Sequence, residues 1–173
     1  MFSDLLKGGQ AAADRLLRIP GSYITGSLAV GGERTASDVD IVVPIDRCVE
    51  SVVADIVKIY HYSKAPSDYN KGLKLLRQGF SVPINILQLH PLDYCAWLFA
   101  TNTMASQAPI QDKNLRHRSF EAFVLAFKIS NITGAEYTIG GAYNYFAAHK
   151  PALTFTDIIK IQETKEGVLS NGK

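Results

Sequence analysis

The segment Asp38-Val39-Asp40-Ile41-Val42-Val43-Pro44-Ile45 constrains this chain more than any other. Residues i and i+2 of a strand share a face, so the run predicts a strand over 38–45 with Val39, Ile41 and Val43 on one side and both carboxylates together on the other. Two like charges held that close repel each other. They become tolerable when hard divalent cations such as Mg²⁺ lie between them and a triphosphate, as in two-metal phosphoryl transfer. An isolated Asp-x-Asp at a strand start also serves plain turn and edge chemistry, so its meaning depends on its surroundings.

Those surroundings read as a mixed α/β (α+β) domain. Helical spacing of apolar residues predicts a first helix over about 3–18, stopped by Pro20-Gly21, followed by a short strand, Ser22 to Gly26, and a Gly/Ser-rich connection, Ser27 to Ser37. After the acidic strand, Val49, Val52, Val53, Ile56, Val57 and Tyr60 form one stripe of a second helix, with Asp46 placed to cap it. Lys71 to Gln78 and Phe80 to Leu89 read as two strands of a hairpin joined at Gly79, with Pro83 needing an edge position or a bulge. From Pro91 the period is helical: Pro91 to about Met104, Asp112 to about Ser130, Glu136 to His149 and Thr154 to Thr164. The order predicts a sheet of about four to five strands in residues 1–90 flanked by helices, a helical region in 91–166 packed on it, and a flexible tail in 167–173. Ala105 to Gln111 is the best candidate hinge.

Gly26 and Gly31 are spaced like the glycines of a P-loop, but Gly32-Glu33 supplies neither the Lys nor the Ser/Thr that would reach phosphates and magnesium. Gly26-Ser27 has a different meaning when read with Asp38-Val39-Asp40, eleven residues beyond Ser27. That combination, flanked by apolar strands, resembles the signature of the DNA polymerase β-type nucleotidyltransferase superfamily, and the element order extends the resemblance to about residue 90. The resemblance implies a Mg²⁺-dependent enzyme that moves a nucleoside monophosphate from an NTP, ATP above all, to a hydroxyl of RNA, protein or a small molecule. Asp38 and Asp40 would be catalytic and would ligate two metal ions once the NTP is bound, while Gly26 and Ser27 would bind its phosphates.

The superfamily's third carboxylate falls, by the same resemblance, in the run Ile84-Asn85-Ile86-Leu87, where an amide stands instead. Asn85 can offer an oxygen to a metal but cannot take a proton from an attacking hydroxyl. Asp93, just beyond the strand, is a candidate substitute. The same departure motivates an alternative: a weakened fold of this type that binds a nucleotide or nucleic acid without turnover.

Charge is uneven along the 173 residues. Net charge is only +2, but residues 61–128 carry 8 Lys/Arg against 4 acids, so an anion would be held in the middle of the chain. Arg116 lies on the stripe of Phe120, Phe123, Val124 and Phe127, and Lys113 one turn earlier; both cations at a helix start would be rationalised by a bound nucleotide. Lys74 and Arg77 read as solvated strand residues. Tyr137, Tyr143, Tyr145 and Phe146 read as core rather than as a stacking surface. The four His show no metal-ligand spacing, and Cys48 and Cys95 form no Cys-x-x-Cys. No apolar run approaches the roughly 20 residues of a membrane span, so a cytoplasmic protein with no membrane partner is expected.

Overall fold

The computed structural model describes residues 2–31, 38–67, 72–77, 82–133, 137–151 and 157, with side chains from residue 9 onward. Its sheet contains β1 (Tyr23–Thr25), β2 (Val39–Pro44), β3 (Tyr62–Pro66), β4 (Gly72–Arg77) and β5 (Ile84–Leu89), in the spatial order β1-β2-β5-β4-β3. β2 and β5 pair in parallel at the centre, and the other neighbours are antiparallel. The fold is mixed α+β, as the element order predicts.

The alternation in β2 divides the core. Val39, Ile41 and Val43, with Ile24, Ile84, Ile86 and Leu75, face α1 (Phe2–Leu17) and α3 (Glu50–Tyr60), which contribute Ala12, Ala13, Leu16, Val53 and Ile56. On the opposite face, Tyr23, Val42 and Leu87 pack against α4 (Pro91–Ala105), α5 (Lys113–Ser130) and α6 (Ile139–Ala148) through Tyr94, Cys95, Leu98, Phe127 and Ala142. Every residue of β2 is consequently buried. Full burial of an aliphatic side chain contributes about 1.5–3 kcal/mol, so this two-sided core outweighs exposed ion pairs such as Arg15–Asp55 at 3.3 Å.

Several expectations are corrected in detail. The connection after β1 begins as a short helix, α2 (Gly26–Val30). Asp46 does not cap α3, which starts behind Val49 without a side-chain cap; its carboxylate instead accepts the Tyr143 hydroxyl at 2.9 and 3.1 Å. A strand the sequence pattern did not announce, β3, follows α3 after His61, which is left-handed (φ 59°). Only Tyr62 of its five residues is buried, as suits an edge strand, and such a strand carries no apolar alternation to read. Pro83 precedes β5, and its carbonyl accepts the Val39 amide at 2.9 Å. Asp112 caps α5, accepting the Leu115 amide at 2.8 Å. The joint at Gly79, the helix over 154–164 apart from residue 157, and the tail over 167–173 lie outside the described residues. Among the described residues no helix is long and apolar enough to cross a membrane.

Candidate functional site

The site follows from strand register. Thr25 on β1 lies opposite Asp40 on β2, Asp40 opposite Asn85 on β5, and Asn85 opposite Lys74 on β4. Four polar residues thus form one row across the sheet, on the face that α4 to α6 cover. At the first of them Thr25 and Thr101 share a hydroxyl contact of 2.7 Å; Thr101 gives its proton to the Trp97 carbonyl, so Thr25 is the donor to Thr101.

Asn85, only 3 % exposed, holds the two aspartates together. Its side-chain Nδ2 donates to Asp38 Oδ2 and to Asp40 Oδ1, each at 2.9 Å, so both amide hydrogens end on carboxylates. Hydrogen bonds to charged acceptors contribute about 1.5–3 kcal/mol each, enough to offset much of the repulsion within the pair. Lys74 Nζ lies 3.4 Å from Asp38 Oδ2. Lys74 is therefore part of this cluster, not the solvated strand residue that its sequence context suggests.

The backbone on the other side of Asp40 is equally constrained. Gly26 has φ +75°, and a Cβ added there would come 2.1 Å from Asp40 Oδ2. Glycine is required both by the left-handed backbone and by the approach to the carboxylate. Ser27 follows, and its Oγ accepts from Arg116 Nη2 at 3.4 Å, while Arg116 Nη1 donates to the Ile110 carbonyl at 3.1 Å. Arg116 is 2 % exposed, in agreement with the inward-facing stripe on α5.

Part of this cluster borders a cavity of about 460 Å³, within the range of small-molecule sites, while Asp38, Asn85 and Lys74 stand behind Asp40 and do not line it. Gly26, Ser27 and Asp40 line it together with Arg116; Trp97, Phe120 and Val124 give it apolar walls. Trp97 meets Phe120 edge to face at 5.0 Å, a contact between α4 and α5 that fixes the wall. A polar end and an aromatic end in one cavity suit an amphipathic ligand carrying an anionic group.

Not every expected residue is gathered here. Lys113 is exposed and does not line the cavity. Asp93 is engaged by Lys128 Nζ at 2.8 Å and does not line it either. Tyr137, Tyr145 and Phe146 pack against the second core, as read, whereas Tyr143 does not belong to it and gives its hydroxyl to Asp46. Trp97, Phe120 and Lys74 are additions, and Lys74 enters through its register opposite Asn85.

Asn85 also provides a test of whether a divalent cation suits the pair. Among the described residues its Oδ1 is buried without a hydrogen-bond partner, which costs about 1–3 kcal/mol. Turning the amide over would aim that oxygen at the aspartates, giving two carboxylates and an amide oxygen, the hard donor set that Mg²⁺ takes. Among the described residues no set of three His, Cys, Asp or Glu side chains is grouped to hold a metal. Asp38, Asp40 and the turned Asn85 fit one such ion. In comparisons with known proteins, no family model, no curated protein and no solved structure matches this chain.

Proposed function

We propose that the chain is a Mg²⁺-dependent nucleotidyltransferase that moves a nucleoside monophosphate from an NTP to an acceptor hydroxyl on RNA, protein or a small molecule. One observation carries the reading: Asp38 and Asp40 are drawn together by the Asn85 amide, and Asp40, packed against Gly26, brings that pair to the wall of a cavity large enough for a ligand. In the reaction the acceptor oxygen bonds to the α-phosphorus, the bond from that phosphorus to the bridging oxygen breaks, and pyrophosphate leaves. Bound Mg²⁺ would supply Lewis-acid polarisation of the phosphates, held by the carboxylates of Asp38 and Asp40 and the amide oxygen of Asn85. Arg116, always charged and lodged against Ser27, supplies fixed positive charge for the phosphates. Asn85 cannot receive the acceptor's proton, so that role falls to the Asp40 carboxylate, which lines the cavity. The apolar wall of Trp97 and Phe120 suits the base or an apolar part of the acceptor.

A second reading rests on the same amide. With a neutral group at the third position the fold can bind a metal–nucleotide complex and lack turnover. Titrating NTP and Mg²⁺ over mixtures of RNA, protein and small-molecule acceptors, while following pyrophosphate, separates the two. Release supports the transferase, binding without release supports the module, and an absence of both removes both readings.

A further inference from the structure

The position of Lys74 goes beyond the proposed function while resting on it. A centre that places two divalent ions between carboxylates and phosphates needs enough negative charge to offset both. Here Asp38 and Asp40 supply two negative charges, Asn85 none, and Lys74 returns one positive charge at 3.4 Å from Asp38 Oδ2. With Lys74 in place the carboxylates offer a second divalent ion only one net negative charge, and the ammonium already stands 3.4 Å from the Asp38 oxygen that such an ion would need. The ammonium is held by the sheet, not by chance contact. Lys74 lies directly opposite Asn85, which lies opposite Asp40, and its side chain is only 20 % exposed. A second pointer to a bound cation is Asn85 itself, 3 % exposed, whose amide oxygen has no hydrogen-bond partner among the described residues and, turned toward the aspartates, would meet only acceptors unless a cation lay between them.

We propose that Lys74 is a built-in cation of this site, occupying on the Asp38 side the place of one divalent ion, so that the nucleotide complex holds a single metal ion ligated by Asp38, Asp40 and Asn85. The site would thereby differ from the two-metal arrangement expected from the Asp-x-Asp strand alone. A side chain that supplies charge without being released also makes the centre less dependent on free Mg²⁺ concentration than a two-ion centre, because only one ion has to be captured.

Native mass spectrometry of the full chain with Mn²⁺ and a non-hydrolysable NTP counts ions per nucleotide complex directly. The wild type is expected to carry one Mn²⁺ beyond the count for Asp38→Asn. Lys74→Arg keeps the charge and should also carry one, whereas Lys74→Met should carry two. Circular dichroism melting of each variant establishes that the sheet is intact, and Lys74→Arg, the smaller change to the strand, keeps the comparison available if Lys74→Met folds poorly: for it alone, one ion supports the inference and two refute it. Two ions in the wild type, or one ion in Lys74→Met, overturns the inference while leaving the nucleotide reading standing. A nucleotide that binds no variant and not the wild type overturns that reading and this inference with it.

Discussion

Replacing Asn85 by Asp probes the centre of the account, because the change is nearly isosteric and alters only charge and proton count. The Nδ2 group now gives one hydrogen to Asp38 and one to Asp40, each at 2.9 Å. An ionised carboxylate in its place would meet two like charges at that distance. At an effective dielectric of about 20 each contact costs on the order of 6 kcal/mol, more than the group tolerates before it takes a proton instead. Protonation therefore sets the cost. Holding a carboxyl of ordinary pKa about 3.9 neutral costs about 1.4 kcal/mol per pH unit, hence about 4 kcal/mol at pH 7 and about 1.5 kcal/mol at pH 5. The sign is fixed by the raised folded-state pKa: this variant binds more protons folded than unfolded, so its stability deficit grows as pH rises above about 4. Urea denaturation of wild type and Asn85→Asp at pH 5 and pH 7, without metal, measures the difference. Saturating Mg²⁺ should then shrink the deficit, since a third carboxylate binds the ion more tightly and each tenfold gain over the wild type's affinity returns about 1.4 kcal/mol. If turnover is limited by the missing carboxylate, pyrophosphate release should rise by on the order of 10²-fold. A deficit that does not change between the two pH values and does not respond to Mg²⁺ would refute the placement of Asn85 between the aspartates.

Other consequences are checked separately. Asp38→Ala and Asp40→Ala should each abolish metal-dependent transfer with the fold retained, and apo stability should change little, since each loses a hydrogen bond but relieves repulsion; wild-type pyrophosphate release from either variant contradicts the assignment. Gly26→Ala forces a left-handed φ on alanine and a clash with Asp40 Oδ2, so it should lose at least about 1–2 kcal/mol in thermal unfolding and weaken Mg²⁺–nucleotide affinity in calorimetry. Burial pushes the Cys95 thiol up to about 12, while Cys48 is exposed; a disulfide reagent at pH 8 should label one thiol in the native chain and two in urea. The same burial, with that of Tyr23 and Tyr94, keeps these groups protonated when folded, so stability is complete below about pH 9, falls above it by about 1.4 kcal/mol per pH unit for Cys95, and by as much again for each tyrosine above about pH 10, readable as an alkaline melting transition.

The parts of the fold that could be read from sequence are those where burial imposes a period. The alternation of Val39, Ile41 and Val43 and the stripe through Val53 and Ile56 are each buried against one core, and both elements appear where the pattern places them. Edge strand β3 had no such period because four of its five residues are not buried. α2 was unreadable for another reason: five residues starting at glycine are too few for helical spacing to register. Within the site, the shared face of Asp38 and Asp40 follows from period two, and Asn85 falls beside them because parallel pairing sets it opposite Asp40. Lys74 depends on hairpin register, and Trp97 on the docking of α4 against α5, neither of which a one-dimensional pattern specifies.

The claim that most needs testing is that the aspartate pair binds a nucleotide through a divalent cation, since both functional readings depend on it. Isothermal titration of a non-hydrolysable NTP into the wild type and into Asp40→Asn, each with Mg²⁺ and with EDTA, tests it without requiring an acceptor. The account predicts saturable one-to-one binding by the wild type with Mg²⁺, lost in EDTA and weakened at least tenfold by Asp40→Asn. Equal binding by both proteins, or binding unaffected by EDTA, would contradict it.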